Sequence, residues 1–298
     1  MLHAKPVLAL DDALQAKYNI LCDAISSMQR IVLGFSGGVD STLLLKVAVE
    51  TLGADNVLAV IGRSETYPER EYLEARSLAT LIGATVREVE TKETDVLKFQ
   101  ENPPDRCYYC KTELFTELRT IADAEHISWI VDGTHIDDTG DFRPGMRAVK
   151  ETGVRSPLLE AGLGKHEIRI LSAAFELPTA DKPSFACLSS RFPYGMKIEP
   201  SRLKAIDKAE SLIYDLGFKT VRVRHHDERT ARIEVGVNEL ARMIEPEVRN
   251  TILNALRDLG FSYITLDLQG FQSGSMNRVL SIDMQAAFVS GDPRATIA

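Results

Sequence analysis

Apolar residues at Leu14, Tyr18, Leu21, Cys22, Ile25 and Met28 recur three and four positions apart, which predicts a helix over 11–29 with Cys22 in its buried stripe. Ile31 to Phe35 is then a continuous apolar run, the length of one strand buried on both faces. Asn56 to Ile61, Ala84 to Val89 and Trp129 to Asp132 give three more such runs. Helical spacing returns between them, from Ser41 onward, at 68–81 and from the cysteines at 107 and 110 to about Glu125. Strand and helix alternating at this period predict an α/β fold with a doubly wound parallel sheet, whose ligands lie beyond the carboxyl ends of its strands. Arg155 to Leu159 offers a fifth short segment, before a helix over 167–175. Past residue 200 the pattern changes. A helix over 201–216, alternating strands at 220–225 and 231–235, a helix over 238–259 and a strand over 263–268 predict a smaller α/β domain. The alternation predicts that one side of its sheet faces solvent or a ligand. The expected units are 1–180, a linker at 181–200 whose unusual residues mark it as functional, and 201–298.

The first strand leads into Ser36-Gly37-Gly38-Val39-Asp40-Ser41. A strand, a glycine turn and a helix start make an anion site, because glycine lets the backbone approach a phosphate and the first helical N–H groups point at it. Ser36 and Ser41 add hydroxyl donors, and Asp40 stands where a Mg²⁺ or a capping bond takes a carboxylate. No lysine follows the glycines directly, so the turn is not the mononucleotide P-loop. It resembles the signature of the PP-loop ATP pyrophosphatase superfamily, whose members split ATP between its α and β phosphates. Gly37, Gly38, Asp40 and the two serines are the expected ATP-binding residues. Arg63, in the loop after the second strand, is expected beside the adenine and ribose. Lys165 either reaches the phosphates or is a solvated lysine at a helix start.

Composition narrows the partners. A net charge of −8 argues against extensive nucleic-acid contact. No apolar run is long enough to span a membrane, and the amino terminus lacks a signal-peptide pattern, so the expected location is the cytoplasm. Four cysteines, Cys22, Cys107, Cys110 and Cys187, are too few and too uneven for a disulfide framework.

Cys107 and Cys110 form a C-x-x-C pair, and Cys187 is the one further candidate thiol for the same centre. Structural zinc takes four protein ligands. Three thiolates around a [4Fe–4S] cluster leave one iron open for a sulfide or a substrate. The residues leave open a cluster, a zinc site, or redox and nucleophilic thiols, including Cys187 as a sulfur donor. Arg222 and Arg224, two apart on a strand, leave the same face and form a fork for phosphate or carboxylate, which Ser190 and Arg191 would complete. The alternative is a solvated face paired with Glu234 and Asp227. Glu210 and Asp227 are candidate metal ligands beside it.

Five motifs occur in order: Ser-Gly-Gly-Val-Asp-Ser at 36–41, Cys-Tyr-Tyr-Cys-Lys at 107–111, Arg-Pro-Gly at 143–145, Ser-Ser-Arg-Phe-Pro-Tyr-Gly at 189–195 and Val-Arg-Val-Arg at 221–224. Over nearly its whole length the chain resembles the LarE-type sulfur transferases, which make the organic part of the nickel-pincer cofactor of lactate racemase. The resemblance implies ATP and Mg²⁺ as cofactors, and adenylylation of the carboxylates of pyridinium-3,5-biscarboxylic acid mononucleotide. Sulfur then replaces the activated oxygen. It also implies a homo-oligomer. One form of that family sacrifices a single loop cysteine; another holds a [4Fe–4S] cluster on three cysteines. Cys107, Cys110 and Cys187 match the second form, so the expectation is a cluster that carries a sulfide, with sacrifice of Cys187 as its rival. A tRNA thiolase of the same superfamily, an ammonia-using ligase and a nucleotide sensor are the other expectations to be weighed. The first would require a basic RNA-binding surface, and the second has no need of three thiols.

Overall fold

The computed structural model describes residues 10–140, 142–183 and 185–292. Four parallel strands form the first sheet: β1 (Ile31–Gly34), β2 (Val57–Arg63), β3 (Thr85–Glu90) and β4 (Trp129–Val131), in the order β3-β2-β1-β4. Side chains alternate between its faces. Ile31, Leu33, Ala59 and Ile61 pack under the helices Asp12–Ser26, Val39–Leu52, Glu69–Ile82 and Lys165–Ala174. Val32, Leu58, Val60 and Ile130 pack under the helices Arg106–Ala124 and Gly145–Thr152. Both faces are covered, as a parallel sheet requires. Cys22 is fully buried in the first of these layers. The predicted fifth segment is reduced to one bridge, Arg155 to Val131, because Pro157 starts a short helix (Pro157–Glu160). β3 is the outer strand, and its charged side chains Arg87, Glu88 and Glu90 guard the open edge.

Strand order reverses between β1 and β4, so the loops after these two strands flank the switch point where ligands of such sheets bind. They lie in contact: a side chain at Gly133, after β4, would come within 3.0 Å of the Ser41 backbone N.

The second sheet holds β5 (Val221–His225), β6 (Thr230–Val235) and β7 (Tyr263–Leu266), with β5 antiparallel and β7 parallel to the central β6. Its core lies against the helices Pro200–Asp215 and Pro246–Asp258. The predicted helix over 238–259 is interrupted: Pro246 occupies the first turn of the second piece, where its missing N–H costs nothing, and a separate short helix, Leu240–Met243, precedes it. Of the two expectations for this sheet's open side, solvent or a ligand, β5 does not meet the first. All five of its residues are buried: Glu234 on β6 pairs with Arg224, and Tyr214 and the Phe271 ring lie against Arg222.

The helix Arg106–Ala124 joins the two cores. Phe115, Leu118 and Ala122 pack against the first sheet, whereas Tyr109 and Cys110, in its first turns, pack with the core of the second. The C-x-x-C pair therefore sits at the seam.

Candidate functional site

Gly37 is the tightest point of the turn after β1. Its φ is +63°, and a Cβ there would meet Ala75 Cβ at 2.7 Å and Ala75 Cα at 2.9 Å. The turn rests directly on the helix Glu69–Ile82, so residue 37 must be glycine for both conformation and space. Gly37→Ala should cost about 2–4 kcal/mol, the sum of a left-handed alanine and an overpacked contact, read as a lower urea midpoint. Gly38 caps the next helix. The Ser36 and Ser41 hydroxyls lie 3.1 Å apart, and the Ser41 hydroxyl donates to the Gly38 carbonyl at 3.3 Å.

Asp40 projects from the first turn of that helix and is gripped by Lys165 Nζ at 2.7 and 2.6 Å. Lys165 thus stands at the turn, tied to a carboxylate, not solvated at a helix start. His135, buried in the loop after β4, lies 3.7 Å from the same carboxylate; sequence reasoning put that polar loop at the active edge without giving His135 a role. Arg63 is at the end of β2, where it stacks on the Tyr72 ring at 4.6 Å and pairs with Glu69 at 3.4 Å.

A cleft of about 770 Å³ opens beside the turn and runs between the two sheets. Arg106, Lys111, Arg143, Lys182, Arg222 and Arg224 all line it, a local concentration of cations in an acidic chain. Such walls focus potential toward an anionic ligand.

Of the three candidate thiols, Cys107 lines this cleft, and Cys187 lies close enough to influence the charge of both Cys107 and Cys110. Cys107 is exposed on the cleft wall, and Cys110 and Cys187 are half-buried. Although its surface opens on the cleft, the protein packed around the Cys107 thiol desolvates it and raises its pKa, with Arg106 opposing and Cys187 adding to the effect. Burial pushes Cys110 well above the usual thiol range, and Glu93, Cys187 and Cys107 push it further. Both thus feel Cys187, and Cys110 feels Cys107 as well. Among the described residues no three His, Cys, Asp or Glu side chains converge tightly enough for one metal ion. A cluster makes a different demand, since its irons take separate thiolates. The donor chemistry suits that demand: three soft thiols whose charges interact, with Arg106, Lys111 and Arg143 near Cys107 to offset negative charge.

Arg191 holds the loop that carries Cys187. It is 1% exposed and donates to the carbonyls of Ala186 and Cys187 at 2.8 and 3.2 Å, to the Ser190 hydroxyl at 2.7 Å, and to both oxygens of Glu210 at 2.8 and 2.9 Å. Glu210 also accepts the Val223 N–H at 2.8 Å, so its carboxylate is committed to protein donors. Arg224 pairs with both oxygens of Glu234 at 3.0 and 2.7 Å and donates to the Ser190 carbonyl at 2.9 Å. Arg222 lies over the Phe271 ring at 5.0 Å and donates to the Val221 carbonyl. Burial and the nearby Arg191 lower its pKa, so an anion in the cleft would stabilise its charge. Asp227 accepts from the Arg229 and Thr230 N–H groups and closes its own hairpin turn. Sequence reasoning brought Ser190, Arg191, Arg222 and Arg224 together. It missed the segment from Phe271 to Asn277 that closes this end of the cleft, where Ser275 and Asn277 meet Arg224 and Tyr194.

The chain matches the family model for NAD synthase over residues 15–126. Short stretches of ammonia-dependent NAD⁺ synthetases match as well, such as 40% identity over 68 residues of the Methanococcus aeolicus enzyme, 23% of this chain and 26% of that one. The family-model match ends before the Cys187 loop and before Arg222 and Arg224. Two other relatives cover nearly everything. An uncharacterised Synechocystis protein is 39% identical over 268 residues, 90% of this chain and 99% of its own. The pyridinium-3,5-bisthiocarboxylic acid mononucleotide synthase of Lactiplantibacillus plantarum is 39% identical over 276 residues, 92% of this chain and 99% of its own. The chain is therefore an enzyme of the LarE-type sulfur transferase family, within the PP-loop superfamily.

Proposed function

We propose that this enzyme adenylylates the carboxylates of pyridinium-3,5-biscarboxylic acid mononucleotide with ATP and replaces oxygen by sulfur, toward a nickel-pincer cofactor. The observation that carries this is a cleft beside the glycine turn whose wall holds Cys107 and a buried arginine pair, with Cys110 and Cys187 near enough to Cys107 to interact with it by charge. An ammonia-using ligase needs the turn but not the thiols.

The residues divide the work. The turn from Ser36 to Ser41 receives the ATP polyphosphate on its backbone N–H groups, and Asp40, with Lys165 beside it, would hold Mg²⁺. Arg222 and Arg224, with Ser190, receive the substrate's phosphate or its second carboxylate. A carboxylate oxygen attacks the α-phosphorus, the bond to the β-phosphate oxygen breaks, and pyrophosphate leaves. Sulfide sulfur then attacks the acyl carbon, the bond to the AMP oxygen breaks, and AMP and a proton are released with the thiocarboxylate. Fixed charges around these steps favour them by orientation and by stabilising developing anions. Cys107, Cys110 and Cys187 would hold a [4Fe–4S] cluster, which when bound supplies an open iron for exogenous sulfide. In this division residues 1–180 handle ATP, 181–200 carry the third thiol, and 201–298 bind substrate and support a homo-oligomer in the cytoplasm.

Iron and acid-labile sulfide per chain after anaerobic reconstitution test the thiol assignment. About four irons in the wild type, lost on replacing any of the three cysteines, is the expected result. An iron-free protein that loses one sulfur from Cys187 in mass, only with ATP and substrate, would make Cys187 the donor instead.

A further inference from the structure

Lys182 stands where the cleft meets the glycine turn. Its ammonium lies 3.2 Å from the Gly37 carbonyl, 2.7 Å from Glu71 and 3.0 Å from Glu74, and its side chain lines the cleft. Arg169 grips the chain at the same place, donating to the Ala180 carbonyl and, at 2.8 Å, to the carbonyl of Lys182 itself. The turn is bound to the Cys187 loop from a second side. Tyr67 donates its hydroxyl to the Ser36 carbonyl at 2.9 Å, and its ring packs on Phe185 at 5.6 Å. The Leu188 N–H donates to the Thr66 carbonyl at 2.8 Å. Cys187 lies between these last two contacts.

Two glutamates and a carbonyl balance Lys182 from one side. A polyphosphate in the turn is a denser anion within reach of the same ammonium, and it competes with Glu71 and Glu74 for it. We propose that Lys182 is a positioning residue that couples nucleotide occupancy of the turn to the placement of the Cys187 loop. Sulfur delivery is then aligned when an adenylate has formed beside it. This deepens the ATP-dependent reading above and rests on it.

Hydrogen exchange of the amides in 185–190, in the full-length protein with and without Mg²⁺ and α,β-methylene-ATP, tests the coupling. The analogue should slow exchange there by about tenfold in the wild type, the scale of an ordinary coupling between two sites. Lys182→Arg should keep this slowing. Lys182→Ala should lose it while calorimetry still shows the analogue binding. Equal slowing in Lys182→Ala, or an exchange rate raised alike with and without nucleotide, would reduce Lys182 to a structural anchor and overturn the proposal. So would binding to the wild type with no slowing. A wild type that binds no analogue would bring down the ATP reading itself, and the coupling with it.

Discussion

Cys187→Ala protein should adenylylate its substrate and stop there. Substrate-dependent exchange of labelled pyrophosphate into ATP should stay within a few-fold of the wild type, since the glycine turn and Arg222 do not depend on that thiol. Thiocarboxylate formation should fall by about a thousandfold or more, the scale seen when one member of a group that acts as a unit is removed. Cys107→Ala and Cys110→Ala should fall as far, and the triple replacement no further, because groups acting together lose their function together. This pattern separates the two sulfur routes. If Cys187 alone were spent, Cys107→Ala would still yield one thiocarboxylate per chain. Normal product from Cys187→Ala would remove the loop from the chemistry altogether.

Glu210→Gln should be among the most destabilising single changes in the protein. Arg191 would be left as a buried guanidinium without its carboxylate, at a cost of about 3–5 kcal/mol in urea unfolding. Removing both charges, as Arg191→Met with Glu210→Leu, should recover much of that stability, because two matched apolar groups restore packing without a stranded charge. Sulfur transfer should not recover with it. The carbonyls of Ala186 and Cys187 would still lack the donor that shapes their loop. A double variant that regains both stability and activity would show that Arg191 serves folding alone.

These expectations depend on parts of the molecule that were unequally legible in the sequence. The glycine turn was readable because its chemistry is local: strand, turn and helix start are one continuous stretch. The face-by-face packing of β1 and β2 followed from uninterrupted apolar runs in the same way. The Cys107–Cys110 pair was visible as spacing, but its approach to Cys187 depends on contacts between distant segments. Lys182 was passed over for the same reason, since its partner Gly37 lies 145 residues away. The arginine pair on β5 was read correctly as sharing a face. Its burial was not, because the groups that permit it come from elsewhere in the chain: Glu234 for Arg224, and Tyr214 and Phe271 for Arg222. Pro246 was a signal in plain view, and the break it makes between 238 and 259 was overlooked in favour of the periodicity around it.

The helix Arg106–Ala124 also fixes how the chain can be divided. Its Phe115, Leu118 and Ala122 anchor it to the first sheet, while Tyr109 and Cys110 in its first turns lie against the second core. A truncation that keeps only the part covered by the NAD-synthase match would leave Phe99, Tyr109 and Cys110 without the apolar neighbours they have in the second core. The two cores therefore cannot be separated cleanly at this helix, and the thiols at its start belong to the joint between them.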